Sequence, residues 1–93
     1  MHTPEPTAAA VRIIEVLRSR DGVRTVVMLK DGRTLSVFNI AWGQDFGDPE
    51  YHVTSNISPA PSAPHLIDIF STGDVASISD PESGLVEFKR DVV

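Results

Sequence analysis

RTVVMLKDGRTLSVFNI, residues Arg24 to Ile40, decides the fold of this chain. Two runs rich in β-branched residues flank Asp31-Gly32, the dipeptide that most strongly marks a tight hairpin turn. A two-residue turn there sets Lys30 opposite Arg33, Met28 opposite Leu35 and Val26 opposite Val37. That face is apolar except at the turn, so Val26, Met28, Leu35 and Val37 are expected to form the core. The other face pairs Leu29 with Thr34, Val27 with Ser36 and Thr25 with Phe38, and is half apolar. A strongly bent sheet can cover both kinds of position.

Working upstream, residues 11–18 (VRIIEVLR) admit two readings. Val11, Ile13, Ile14 and Val16 favour a strand, with Asp21-Gly22 as a further hairpin turn. Ala10, Ile13, Ile14 and Leu17 share one face at helical spacing, and Gly22 suits a helix end near Arg20. The strand is the preferred reading, with the helix left open. Residues 1–10, with Pro4 and Pro6, read as a flexible N-terminal segment ahead of a single domain over 11–90.

Downstream of Ile40 the alternation breaks, and residues 41–64 read as a long loop. Trp42, Phe46 and Tyr51 argue that its first half is ordered, with Tyr51 to Thr54 extended. Its second half contains SNISPAPSAP, a spacer of polyproline character. Leu66 to Phe70 reads as a strand, Ser71 to Asp74 as a turn and Val75 to Ser79 as a strand. Asp80-Pro81-Glu82-Ser83-Gly84 is a hairpin connection. Leu85 to Lys89 closes the chain as an edge strand guarded by Glu87, Lys89 and Arg90.

Bulk composition narrows the function classes. Ninety-three residues suffice for one modest core. No cysteine is present, which excludes a disulfide framework, a thiol nucleophile and a cysteine zinc site. No secretory leader or membrane-length apolar run is apparent, so the expected location is cytoplasmic and no membrane partner is expected. The Asn56-Ile57-Ser58 sequon then has no glycosylation context.

The net charge of −5 is unevenly spread. Residues 11–33 carry six cations against three carboxylates, whereas residues 34–88 carry eight carboxylates and no lysine or arginine. Such halves attract each other within a fold, or present an acidic face to a basic partner. Nucleic acid is disfavoured as a partner, because phosphate neutralisation needs a net basic footprint.

These strands and turns resemble the SH3-like and Sm-like small barrels. VVMLKDGRTLSV (Val26 to Val37) is similar to the first Sm motif, and IFSTGDVASI (Ile69 to Ile78) to the second. The resemblance implies an all-β fold, with room for one short N-terminal helix, of five to six short antiparallel strands closed into a small barrel. Sm-like proteins are ring-forming RNA binders whose second motif has a basic residue before its glycine. Thr72 stands there in this chain, so the resemblance bears on fold more than on RNA binding.

The best candidate contact surface is Trp42, Asp45, Phe46, Asp48, Glu50, Tyr51 and His52. Aromatics interleaved with carboxylates resemble the loop by which SH3-like domains hold proline-rich or basic peptides. The competing reading makes Trp42 and Phe46 plugs of the barrel and the acids solvated charges. Asp45, Asp48, Glu50 and His52 are possible metal ligands, but their spacing matches no EF-hand or zinc pair. Asp45-Phe46-Gly47 coincides with a kinase tripeptide that lacks every other kinase element here. No nucleophile or acid–base motif stands out, so no catalytic residue, cofactor or metal is assigned.

The expected function is therefore a small, soluble, non-catalytic protein-interaction module with a protein or peptide partner. Edge strands offer a route to a homodimer. The alternatives are an Sm-like oligomer associated with nucleic acid and a small metal-dependent or carboxylate-based enzyme.

Overall fold

A computed structural model describes residues 4–57 and 67–90. His2, the SNISPAPSAP stretch beyond Ile57, His65 and the Leu66 start of the fourth expected strand lie outside the described residues. Helix α1 spans Ala8–Ser19. Among the described residues seven strands follow: β1 (Thr25–Leu29), β2 (Thr34–Val37), β3 (Ile40–Gln44), β4 (Tyr51–Ser55), β5 (Ile69–Ser71), β6 (Val75–Ser79) and β7 (Val86–Lys89). They form two antiparallel sheets, one ordered β2-β1-β6-β7 and the other β3-β4-β5. A single 3₁₀ turn, Thr72–Asp74, carries the chain from β5 in one sheet to β6 in the other.

The preference for a strand at residues 11–18 is overturned, because periodicity outweighs β-branched propensity here. Ala10, Ile13, Ile14, Val16 and Leu17 are all buried, a stripe of helical period facing both sheets. The Thr7 hydroxyl caps the helix by accepting from the Ala10 N–H at 3.0 Å. Ala8–Ala10 thus belong to α1. Pro4 and Thr7 are also tied to the body of the fold, through Gln44 Nε2 to Pro4 O and Thr7 N–H to Pro49 O.

The central hairpin forms, but with a three-residue loop. Gly32 N–H donates to Leu29 O at 2.9 Å and Leu29 N–H to Arg33 O at 2.8 Å, enclosing Lys30, Asp31 and Gly32. Gly32 takes φ +94, the left-handed conformation that ends a turn of this length. The register moves by one: Val27 faces Leu35 and Thr25 faces Val37. A one-residue slip exchanges the faces of one strand relative to the other. Val27 and Leu29 are therefore buried, while Val26 is half-buried and Met28 exposed, correcting two of the four expected core positions. Val37 is buried, and Leu35 packs against the core as expected.

One core serves both sheets and the helix. Ile13, Ile14, Val16 and Leu17 of α1 meet Val27, Leu29, Val37, Val75 and Ile78 of the first sheet, with Val53 and Phe70 of the second. The edges are managed in different ways. At β2, the Asn56 carboxamide accepts from Phe38 N–H and donates to Ser36 O, standing in for a neighbouring strand. At β7 the charged Glu87 and Lys89 lie on the edge strand as expected. Arg90 instead turns inward and donates to the carbonyls of Val75 and Thr72.

The basic and acidic halves of the chain meet at Arg20. Its guanidinium reaches Asp80 at 2.9 Å and Glu87 at 3.6 Å, and donates to the Thr25 hydroxyl. The Ser83 N–H, followed by Arg20 and the Glu82 N–H, holds the Asp80 carboxyl below its ordinary value of 3.8. A carboxyl depressed by folding stabilises above its unfolded pKa and loses that contribution as pH falls through the folded value. Asp80→Asn will therefore melt below the parent at pH 7. The gap will shrink as the pH is lowered past 3.8. Melting curves from pH 7 to pH 2 check this, and a gap that holds constant contradicts it.

Candidate functional site

The stretch from residue 41 to residue 55, expected in a long loop with an ordered first half and an extended Tyr51 to Thr54, is ordered and forms a hairpin of β3 and β4. Its apparent breakers find places in that structure. Gly47 and Pro49 fall in the connection 45–50. Gly43 sits within β3 opposite His52. A Cβ at Gly43 would lie 3.0 Å from His52 Nε2, so the imidazole lies against the bare glycine backbone.

Strand alternation divides the candidate residues. Trp42 pairs with Val53 and shares its core-facing side, extending past the core edge to where Arg18 of α1 sits over the indole. The Arg18 Cζ is 5.2 Å from the ring centroid, an exposed cation–π contact. His52, opposite Gly43, projects to the other face, with its Nδ1 3.3 Å from Asp45 Oδ1. Both side chains are largely solvated, so this contact contributes little to stability. Phe46, in the connection, is 67% exposed and Trp42 41% exposed, so neither is enclosed as a plug.

The remaining candidates bind the fold to itself. Asp48 Oδ1 accepts from Glu50 N–H at 2.8 Å, and Asp48 O accepts from Gln44 Nε2. Glu50 bridges two elements: Oε2 accepts from the Thr7 hydroxyl at 3.1 Å and Oε1 from the Thr72 hydroxyl at 2.8 Å. Tyr51 is half-buried against the core, and its N–H donates to Thr72 Oγ1. The hairpin thus offers Trp42, Asp45, Phe46 and His52 to solvent, and employs Asp48, Glu50 and Tyr51 internally.

No family model, curated protein or solved structure matches the chain. Among the described residues no group of three or more His, Asp or Glu side chains is placed to hold a metal ion, and no helix is long and apolar enough to cross a membrane. A cleft of about 210 Å³ lies at the tip of the central hairpin, lined by Leu29, Lys30, Asp31, Arg33 and Asp74. Arg33 is already paired there with Asp31 at 2.8 Å, and the opposing charges leave the cleft without a dominant sign.

Sequence reasoning missed Arg18 as the neighbour of Trp42, and Thr7 and Thr72 as the partners of Glu50. The helical stripe in residues 10–17 turns Arg18 outward, but its meeting with Trp42 on β3 had no local signal. The contacts of Glu50 had no local signal.

Proposed function

We propose that the chain is a non-catalytic protein-interaction module of the small-barrel type, acting in the cytoplasm, that holds a basic protein or peptide at the tip of the β3–β4 hairpin. The observation that carries the reading is Phe46, a large aromatic side chain 67% exposed at a hairpin tip. Aromatic side chains within a polar rim are where binding energy concentrates in protein interfaces. The adjacent Asp45 carboxylate is 71% exposed, suiting it to meet Lys or Arg. The small-barrel framework is supported by the passage of the chain between sheets at Phe38-Asn39, between β2 and β3, and again at Thr72–Asp74.

The test is an NMR titration of the full chain with a short arginine- and proline-rich peptide, a short single-stranded RNA, and Mg²⁺ or Zn²⁺ in separate arms. The peptide is expected to shift the amides of 45–47, and Phe46→Ser to weaken its binding about tenfold or more. Selective shifts by RNA would replace this reading with the nucleic-acid one. Shifts by a metal around Asp45 and His52 would favour metal-dependent chemistry. Peptide binding that survives Phe46→Ser would remove the hairpin tip as the contact surface.

A further inference from the structure

We infer a second contact surface, independent of the hairpin tip: the outer edge of β5 accepts a short extended peptide as an additional strand. Among the described residues, the sheet order β3-β4-β5 leaves β5 paired on one side only. Ser55 N–H donates to Asp68 O at 2.8 Å, which fixes the alternation of hydrogen-bonded pairs between β4 and β5. Val53 and Phe70 form the next bonded pair. Ile69, opposite Thr54, turns its own N–H and C=O away from β4 towards the open side.

The side chains point the same way. Phe70 enters the core at 6% exposure, whereas Ile69 is 76% exposed. Ile67, two residues earlier in the alternation, is 64% exposed. Two bare isoleucines beside an open ladder are a liability that folded proteins ordinarily suppress. Two other edges show how this chain does so elsewhere: Asn56 occupies the β2 edge, and β7 carries Glu87 and Lys89. From Ile67 to Ser71 the one charged side chain is Asp68, which alternation places on the opposite face from Ile67 and Ile69.

The occupant is a linear segment of a partner rather than a second folded copy. A three-residue edge strand paired with its equivalent buries far less than the roughly 1,200 Å² at which stable protein interfaces begin. Strand addition suits such an edge, since main-chain bonds supply affinity and alternate side chains supply selectivity. The chemistry follows from the surroundings. β-Branched residues at alternate positions would cover Ile67 and Ile69. Lysine or arginine at the peptide ends would suit Asp68, the carboxylate within this edge segment.

The probe is the capped peptide Lys-Val-Thr-Val-Thr-Val-Lys, titrated into the isotope-labelled full chain. The control is the same peptide with its central valine replaced by proline. Amides of residues 68–71 are expected to shift, and that of Ile69 to gain hydrogen-exchange protection, while those of 45–47 stay in place. Ile69→Lys is expected to weaken binding about tenfold or more. Its side chain is exposed, so an unchanged circular dichroism spectrum and melting curve will show that the fold survives. The inference is overturned by any of three results. The Ile69 amide is already strongly protected in the free chain; the proline peptide binds equally well; or residues 68–71 do not respond at millimolar peptide.

Discussion

Ile13→Ala will lower the unfolding free energy by about 2–5 kcal/mol, the range for truncating a fully buried aliphatic side chain. Ile13 has no exposed surface and lies on the face of α1 where the helix meets strands from both sheets. Removing three carbons there leaves a cavity that neither sheet can close, because the walls belong to separately hydrogen-bonded ladders. A domain of this size has a total stability of about 5–15 kcal/mol, so the variant loses a large share of it, and its melting temperature should fall by about 10 °C or more. Val11→Ala, on the solvent side of the same helix at 39% exposure, should change stability by less than about 1 kcal/mol. Denaturant titration of both variants reads the contrast. Equal small losses would mean that α1 is not docked as described.

That helix shows what the sequence made legible and what it concealed. Its core stripe was visible as Ala10, Ile13, Ile14 and Leu17, yet four β-branched residues in a row of eight pulled the reading towards a strand. Propensity is a weak local preference, and burial of a continuous apolar stripe against two sheets overrides it. The central hairpin was legible as a hairpin. Its register was not, because Asp31-Gly32 serves both a two-residue turn and the three-residue loop found here, and the two differ by one position. The strand Val75–Ser79 and the connection Asp80–Gly84 were readable because turn signals bound the strand on both sides.

The candidate surface was legible in composition and not in geometry. Trp42 and His52 look like neighbours in a loop, but pairing within a hairpin sends them to opposite faces. Gly43 misled the reading by marking a break, when it is the bare position against which His52 lies. Residues that close long-range bonds gave no signal at all. Thr7 and Glu50 are 43 positions apart, and Glu50 and Thr72 are 22 apart.

Thr72→Val tests that hidden junction and should cost about 2–3 kcal/mol. Thr72 is fully buried, and its hydroxyl does two things at once: it accepts from Tyr51 N–H at 3.0 Å and donates to Glu50 Oε1 at 2.8 Å. Valine preserves the volume and removes both bonds, so the backbone N–H at the start of β4 and one oxygen of a half-buried carboxylate are left without partners. The loss should spread to the helix, because Glu50 Oε2 holds the same Thr7 hydroxyl that caps the Ala10 N–H. Thr7→Val alone should cost about 1 kcal/mol as a lost cap. Combined with Thr72→Val it should cost less than the two losses added, since both act through Glu50. Hydrogen exchange at the Ala10 and Tyr51 amides should accelerate in Thr72→Val, while peptide shifts at residues 45–47 persist. A fully additive double variant would show that Glu50 does not couple the helix start to the 3₁₀ turn. Loss of peptide binding in Thr72→Val, with the fold intact, would instead make the hairpin tip depend on this junction. Glu50 would then belong with the contact surface rather than with the framework that carries it.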